Sequence, residues 1–294
     1  MTHEQSLTGV VSLLLTPFRE DKSIDWSAYD RYVEWQAAAG ANGLFAVCGT
    51  SEMKWLTRAE RLDLARRAVL QAGGLPVVAT GNLDPDQTQH ASEIAELAET
   101  GVAGVVLVPP HGMGVQPGRL EDYLGTLALQ APCPIYLYEW PESIPCHVSG
   151  ESFGTLSRKF GVRGIKDTTC TLEGIGAKLR EAADDAVVFQ ANTPYLLDSV
   201  RMGAKGVMAI TSGAAPDIVV NFWRAANRGS DEAVDLHSTL VFLDSLLRLG
   251  YPQTAKYLLK LRGLPFETQT RWPVSLPAEA RRAMEVFYES VFKR

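Results

Sequence analysis

Short apolar segments recur along the first 210 residues, and each is followed by a turn and a stretch with helical periodicity. The segments are about four to seven residues long. None alternates cleanly between apolar and polar residues, which is the pattern expected of strands buried on both faces of a parallel sheet. The eight segments are Val10–Leu15, Gly43–Val47, Pro76–Ala79, Val102–Val108, Pro134–Leu137, Val162–Ile165, Ala186–Phe189 and Gly206–Ile210.

The stretches between these segments carry helix signals. Thr57 and Glu60 form a capping-box pattern, so we expect a helix to begin near Arg61. Eight strand–helix units over roughly 225 residues average about 28 residues each, close to the repeat of a TIM barrel. A doubly wound open sheet is the alternative, but no Gly-x-Gly-x-x-Gly sequence follows the first strand. The sequence therefore predicts an α/β fold, a (β/α)8 TIM barrel.

The pattern becomes purely helical after about Ala215. Part of this region completes the eighth unit, and no low-complexity linker separates the remainder from the barrel, so we expect a C-terminal helical extension packed on it. We predict a catalytic barrel over residues 1–225 and the extension over residues 226–294. The predicted helices are Pro216–Arg228, Ser230–Leu249, Thr254–Arg262 and about Pro277–Phe292.

The composition excludes several other classes of protein. The chain has 46% hydrophobic and 21% charged residues with a net charge of −6, which fits a folded globular protein rather than a disordered one. This mild acidity argues against nucleic acid and anionic membranes as partners. No apolar run reaches the ~18–20 residues of a membrane span, and no signal-peptide core is present at the N-terminus. The four cysteines lack metal-binding spacing, so we expect a cytoplasmic protein with reduced thiols and no metal site.

Lys166 is the first candidate for chemistry. Active sites of TIM barrels lie at the C-terminal ends of the strands, and of the nine lysines only Lys166 ends a strand, while Lys54 lies in the loop after the second strand. An amine at the mouth of an apolar barrel is desolvated, which favours its neutral, nucleophilic form. The alternative is a structural ion pair with the adjacent Asp167.

Two further strand ends carry polar groups. The Gly49-Thr50-Ser51-Glu52 turn follows the second strand, and its hydroxyl and amide groups could hold a carboxylate or could simply cap the following helix. Tyr138 ends the fifth strand, where a phenol can transfer protons or can pack with its hydroxyl satisfied.

Several short motifs occur in a distinctive order and spacing. They are Leu15-Thr16-Pro17-Phe18 with Asp21, Gly40 and Gly43 before the Gly49–Glu52 turn, Tyr138 with Pro141, Gly164-Ile165-Lys166, Gly203 with Gly206-Val207-Met208, and Arg271-Trp272-Pro273. In this order they resemble the pyruvate-dependent, Schiff-base class I lyases typified by dihydrodipicolinate synthase and N-acetylneuraminate lyase. The resemblance covers nearly the whole chain and implies a TIM barrel with a helical C-terminal extension, usually in a tetramer.

The resemblance also implies roles for individual residues. Lys166 corresponds to the Schiff-base lysine and Tyr138 to the tyrosine that transfers protons. Thr50 and Ser51 correspond to the pair that binds the pyruvate carboxylate, next to Gly49 at the start of the turn. Met208 falls where the family has an apolar residue against the methyl group derived from pyruvate.

The sequence departs from the family pattern in the turn and after the fourth strand. The turn lacks the second glycine of the usual Gly-Thr-Thr-Gly-Glu. Pro110-His111-Gly112 stands where the synthase has Pro-Tyr-Tyr, so the tyrosine that reaches a neighbouring subunit is absent. His111 either substitutes for it at the substrate or is a solvated loop residue.

A third departure follows the fifth strand. Glu142 and Ser143 occupy the region where the synthase has an arginine for its aldehyde substrate, so aspartate semialdehyde would bind poorly. Glu139 replaces an asparagine, and its carboxylate either reaches the pocket or points outward into an ion pair.

The resemblance implies chemistry without a metal or an organic cofactor. We predict a lyase or aldolase acting on a small-molecule 2-oxo acid, either pyruvate plus an aldehyde or a 2-keto-3-deoxy sugar acid. A dehydratase, or a condensation enzyme like dihydrodipicolinate synthase, is one alternative, and a barrel that binds a 2-oxo acid without turnover is another. We expect a homo-oligomer, a tetramer or a dimer.

Overall fold

Eight parallel strands close into a barrel in chain order. The structure is a computed structural model that describes residues 7–293, the side chain of Pro117 excepted. The strands are β1 (Gly9–Leu13), β2 (Gly43–Val47), β3 (Val77–Thr80), β4 (Gly104–Leu107), β5 (Ile135–Tyr138), β6 (Gly164–Asp167), β7 (Val187–Gln190) and β8 (Gly206–Val207). Each strand pairs with the next, and β8 pairs with β1 through Gly9↔Gly206 and Val10↔Val207. The predicted TIM barrel is confirmed.

The last strand is shorter than predicted. It ends at Val207 rather than Ile210, and the next helix begins at Thr211. Gly206 is required where the barrel closes, since a Cβ at this position would lie 2.2 Å from a ring carbon of Phe189. The aromatic ring therefore fills the space that a side chain on β8 would occupy.

Helices follow the strands and form the outer layer. They are α1 (Trp26–Ala38), α2 (Arg58–Gln71), α3 (His90–Ala98), α4 (Pro117–Gln130), α5 (Gly150–Phe160), α6 (Leu172–Glu181), α7 (Leu196–Arg201), α8 (Thr211–Ala214), α9 (Pro216–Asn227), α10 (Glu232–Leu247), α11 (Gln253–Leu261) and α12 (Ala278–Phe292). The predicted capping box is present: Thr57 accepts from the amide of Glu60, and Glu60 accepts from the amide of Thr57. It starts α2 at Arg58, three residues earlier than expected.

Polar contacts, one of them fully buried, hold the C-terminal helices in place. Lys256 on α11 contacts the carboxylate of Glu52, with 2.7 Å between Nζ and Oε1, and both side chains are fully buried. Arg262 at the end of α11 makes a bidentate contact with Asp217 on α9. The predicted domain boundary between residues 225 and 226 falls inside α9.

The described part of the chain contains no helix that is both long and apolar enough to cross a membrane. All four cysteines are free thiols.

Candidate active site

A cavity of about 920 Å³ opens at the C-terminal ends of the strands. Strand ends and the C-terminal helical region contribute its walls. Of the eight residues that the sequence singled out, five line this cavity: Gly49, Thr50, Tyr138, Lys166 and Met208. Ser51, Glu139 and His111 are not part of its lining.

Lys166 lies at the floor of the cavity, near the end of β6. It is 4% exposed, and its Nζ lies 3.9 Å from the centre of the Tyr138 ring and 5.7 Å from that of Phe45. Burial lowers the pKa of Lys166 to about 8. Asp167 faces the opposite side of the strand and contacts Lys178, with 2.6 Å between Oδ1 and Nζ. The ion pair considered as the alternative role for Lys166 is therefore made by Lys178.

Tyr138 ends the neighbouring strand β5, where it lies opposite Lys166 in the β5–β6 pairing. The ring packs edge-on against Phe45, with 6.1 Å between ring centres. Burial raises the pKa of Tyr138 above its ordinary value, so the phenol stays protonated. Its hydroxyl lies close to Gly49, where an added Cβ would be 3.2 Å away, so this glycine lets the phenol approach the turn.

The turn after β2 presents one hydroxyl to the cavity rather than two. The Ser51 hydroxyl accepts from the amide of Cys48 and donates to the Cys48 carbonyl, both at 2.7 Å, so it is used within the turn. The amide of Ser51 also donates to Cys48, at 3.1 Å. Thr50 lines the cavity, and its Oγ1 accepts a 2.8 Å hydrogen bond from the Tyr251 hydroxyl.

Glu139 lies behind the cavity wall, fully buried. It accepts hydrogen bonds from the amides of Val148 and Thr168, at 2.8 and 2.7 Å, and contacts Lys178 with 2.8 Å between Oε1 and Nζ. The sequence left open whether the Glu139 carboxylate reaches the pocket or points outward into an ion pair, and the structure has the ion pair. Lys178 joins Glu139 to Asp167 and so links the ends of β5 and β6.

His111 lies on an exposed loop outside the cavity. Its Nδ1 accepts a hydrogen bond from the amide of Ile144 at 3.3 Å. The structure therefore gives His111 the position of a loop residue, away from Lys166. Met208, by contrast, is 2% exposed at the cavity wall beyond β8, where an apolar side chain was expected.

Five side chains that the sequence analysis did not assign reach the cavity from the C-terminal region: Arg248, Leu249, Tyr251, Trp272 and Val274. Trp272 belongs to a motif that carried the family resemblance, but no role was attached to it. Tyr251 lies two residues beyond the predicted helix Ser230–Leu249, and no role was attached to it either. Long-range packing brings these residues to the barrel mouth, and no local pattern in the sequence signals it.

The described residues contain no cluster of three or more His, Cys, Asp or Glu side chains that could hold a metal ion. What the cavity brings together is a desolvated amine, a protonated phenol and a threonine hydroxyl.

Comparison with known proteins finds relatives over nearly the whole chain. The 4-hydroxy-tetrahydrodipicolinate synthase of Chlorobium chlorochromatii is 30% identical over 288 residues, which cover 95% of each chain. A "probable 2-dehydro-3-deoxy-D-pentonate aldolase" of Escherichia coli is 26% identical over 278 residues, 92% of each chain.

Solved structures share the fold. A Bacillus anthracis dihydrodipicolinate synthase superposes with a TM-score of 0.90 at 22% identity, covering 97% of this chain and 98% of the other. An E. coli prophage protein, solved in complex with pyruvate, has a TM-score of 0.88 at 22% identity, with 96% and 98% covered. The family match extends over residues 6–288. The chain belongs to the dihydrodipicolinate synthetase family.

Proposed function

We propose that this protein is a Schiff-base lyase in which Lys166 forms an imine with a 2-oxo acid. The observation that carries the proposal is the position of Lys166, buried at the floor of the cavity with its pKa lowered to about 8. At neutral pH about a tenth of such amines are neutral, because each unit between pH and pKa changes the ratio tenfold. A neutral amine is the form that attacks a carbonyl carbon.

Tyr138 supplies the proton that imine formation needs. Attack of the Lys166 amine on the C2 carbonyl gives a carbinolamine, which loses water when its hydroxyl receives the Tyr138 proton. The products are a positively charged iminium and a phenolate, and the 3.9 Å between Lys166 Nζ and the Tyr138 ring favours this pairing of opposite charges.

The same pair then breaks the bond between C3 and C4. The iminium accepts the electron pair of that bond and becomes an enamine, while the Tyr138 phenolate takes the proton of the C4 hydroxyl. An aldehyde leaves, and Tyr138 is again a phenol. Protonation of the enamine at C3, followed by hydrolysis of the imine, releases pyruvate and restores Lys166.

The outer cavity supports a polyhydroxylated substrate, a 2-keto-3-deoxy sugar acid. Thr168 and Asn192 line it with hydroxyl and amide groups that can bind sugar hydroxyls. Arg248 also lines it, but its Nε donates to Asp244 Oδ2 at 2.6 Å, which offsets its charge. The E. coli aldolase relative, named for a 2-dehydro-3-deoxy-pentonate, fits the same class.

The first test is borohydride trapping with pyruvate, followed by peptide mass mapping. We expect a reduced adduct on Lys166, and its loss in Lys166→Ala. Lys54→Ala is the matched control, because Lys54 also follows a strand but is exposed, is paired with Glu142 and does not line the cavity. An intact protein without an adduct at Lys166 would refute the proposal.

A coupled pyruvate assay with candidate sugar acids then separates the reaction types. Pyruvate release supports the aldolase. An imine on Lys166 without pyruvate release would indicate the dehydratase. Turnover of pyruvate with aspartate semialdehyde would indicate the condensation enzyme, and an imine with no turnover of any candidate would indicate a binding protein.

We also propose that the enzyme is a homo-oligomer, a tetramer or a dimer. The family resemblance supports this assembly. Light scattering coupled to size-exclusion chromatography tests it, and a mass near the 32.1 kDa of one chain would refute it.

A further inference from the structure

A second phenol reaches the substrate cavity from the C-terminal region. Tyr251 lies between α10 and α11 and lines the cavity, and its hydroxyl donates to Thr50 Oγ1 at 2.8 Å. The two residues are 201 positions apart in the chain. The strand-four loop, where the family tyrosine is absent, takes no part in this contact.

The hydrogen bond constrains the threonine hydroxyl. A threonine hydroxyl has one proton to donate and two lone pairs to accept with. Tyr251 occupies one lone pair, so the Thr50 proton must be directed to another acceptor. Thr50 lines the cavity beside the floor that holds Lys166, which makes a substrate oxygen in the cavity the acceptor within reach.

The turn that holds Thr50 is fixed by the C-terminal region at a second point. Glu52 has a left-handed backbone conformation with φ of 61°, and its carboxylate accepts from Lys256 Nζ and from the amides of Arg271 and Trp272. These three distances are 2.7 to 2.8 Å. The extension therefore holds both the backbone of the turn and the direction of its hydroxyl.

We infer that Tyr251 is a positioning residue of the 2-oxo acid site: it orients the Thr50 hydroxyl as a hydrogen-bond donor to the substrate carboxylate. The inference rests on the proposed function, since it assumes that a 2-oxo acid occupies the cavity. In this arrangement the carboxylate site, although built on the turn after β2, is completed by the C-terminal region of the same chain.

The test measures how imine formation depends on the concentration of pyruvate. Tyr251→Phe keeps the ring and removes the hydroxyl, so the Thr50 proton is free to turn away from the cavity. We expect the half-saturating pyruvate concentration in borohydride trapping to rise about three- to tenfold, in line with the loss of one net hydrogen bond. The rate at saturating pyruvate should change less than twofold, because Lys166 and Tyr138 are untouched.

Tyr257→Phe is the matched control. Tyr257 lies on α11, and its hydroxyl donates to Glu285 at 2.8 Å, away from the cavity. Its loss should leave the half-saturating concentration unchanged.

A double-mutant cycle separates positioning from a general structural role. If Tyr251 acts through Thr50, then Thr50→Val combined with Tyr251→Phe should bind pyruvate as weakly as Thr50→Val alone, within twofold. Losses that multiply would overturn the inference, and so would an unchanged half-saturating concentration in Tyr251→Phe. Absence of any adduct on Lys166 in the unmodified protein would overturn the proposed function and this inference together.

Discussion

The buried ion pair between Lys256 and Glu52 allows a quantitative test of how the extension is held. Replacement of Lys256 by methionine keeps most of the side-chain volume and removes the ammonium group. Glu52 then keeps two amide donors, from Arg271 and Trp272, but loses its only charged contact among the described residues. A carboxylate left in this fully buried position is an uncompensated charge.

The expected loss is large. Removal of one partner from a buried pair costs ~3–5 kcal/mol, and for chains of this size each kcal/mol lowers the melting temperature by ~2–4 °C. The melting temperature of Lys256→Met should therefore fall by about 6–20 °C. Lys260→Met is the matched control on the same helix, because its pair with Glu267 is exposed and is worth at most ~1 kcal/mol.

Thermal unfolding followed by circular dichroism, with urea unfolding alongside, measures both variants. Lys256→Met combined with Glu52→Gln removes both charges and should recover part of the loss, since contacting residues couple by ~0.5–3 kcal/mol. If Lys256→Met loses no more stability than Lys260→Met, the pair does not hold the extension on the barrel.

Three further predictions concern the cavity. Because burial lowers the pKa of Lys166 to about 8, imine formation with pyruvate, trapped by cyanoborohydride, should rise about tenfold per pH unit below pH 8 and level off above it; a rise that continues to pH 10 contradicts this. The folded protein binds this proton less tightly than the unfolded chain, so Lys166→Met should raise the free energy of unfolding at pH 7 by about 3 kcal/mol, an advantage that shrinks as pH rises from 8 to 10.5. Urea unfolding at pH 7 and 10 checks this, and an equal or lower stability of the variant at pH 7 counts against it. A Cβ at Gly49 would lie 3.2 Å from the Tyr138 hydroxyl, so Gly49→Ala should slow imine formation at saturating pyruvate about tenfold. Gly118→Ala, where a Cβ would meet nothing within 4 Å, should not, and equal rates in the two variants would show that this contact is unimportant.

The fold and the floor of the cavity could be predicted from the sequence because they depend on local patterns. The apolar segments identify the strands, and the polarity of parallel strands brings their C-terminal ends to one side of the barrel. Lys166 and Tyr138 each end a strand, so both were expected at the mouth, and both line the cavity.

The outward orientation of Glu139 could have been predicted from the sequence. Successive side chains of a strand point to opposite faces, and Glu139 directly follows the inward-facing Tyr138. The structure accordingly has Glu139 behind the wall with Lys178. The Ser51 hydroxyl, in contrast, makes its hydrogen bonds within its own turn. The sequence was compatible both with this orientation and with one that points into the cavity.

The contribution of the extension could not be predicted in this way. Tyr251 meets Thr50 across 201 positions, and Lys256 meets Glu52 across 204. Such contacts depend on how the last helices pack on the finished barrel, and nothing local to Gly250 or Tyr251 indicates which side chain will enter the cavity.

The lining of the cavity by residues near the C-terminus has a consequence for synthesis on the ribosome. Trp272 is translated 106 residues after Lys166 (272 − 166), which takes roughly 5–20 s at the usual elongation rates. For most of that interval the nascent barrel has its amine but not the Tyr251 phenol that contacts Thr50, and it lacks the Trp272 indole throughout. The lining of the pocket is therefore completed only after the C-terminal region has been translated, and a chain terminated before Tyr251 lacks both side chains.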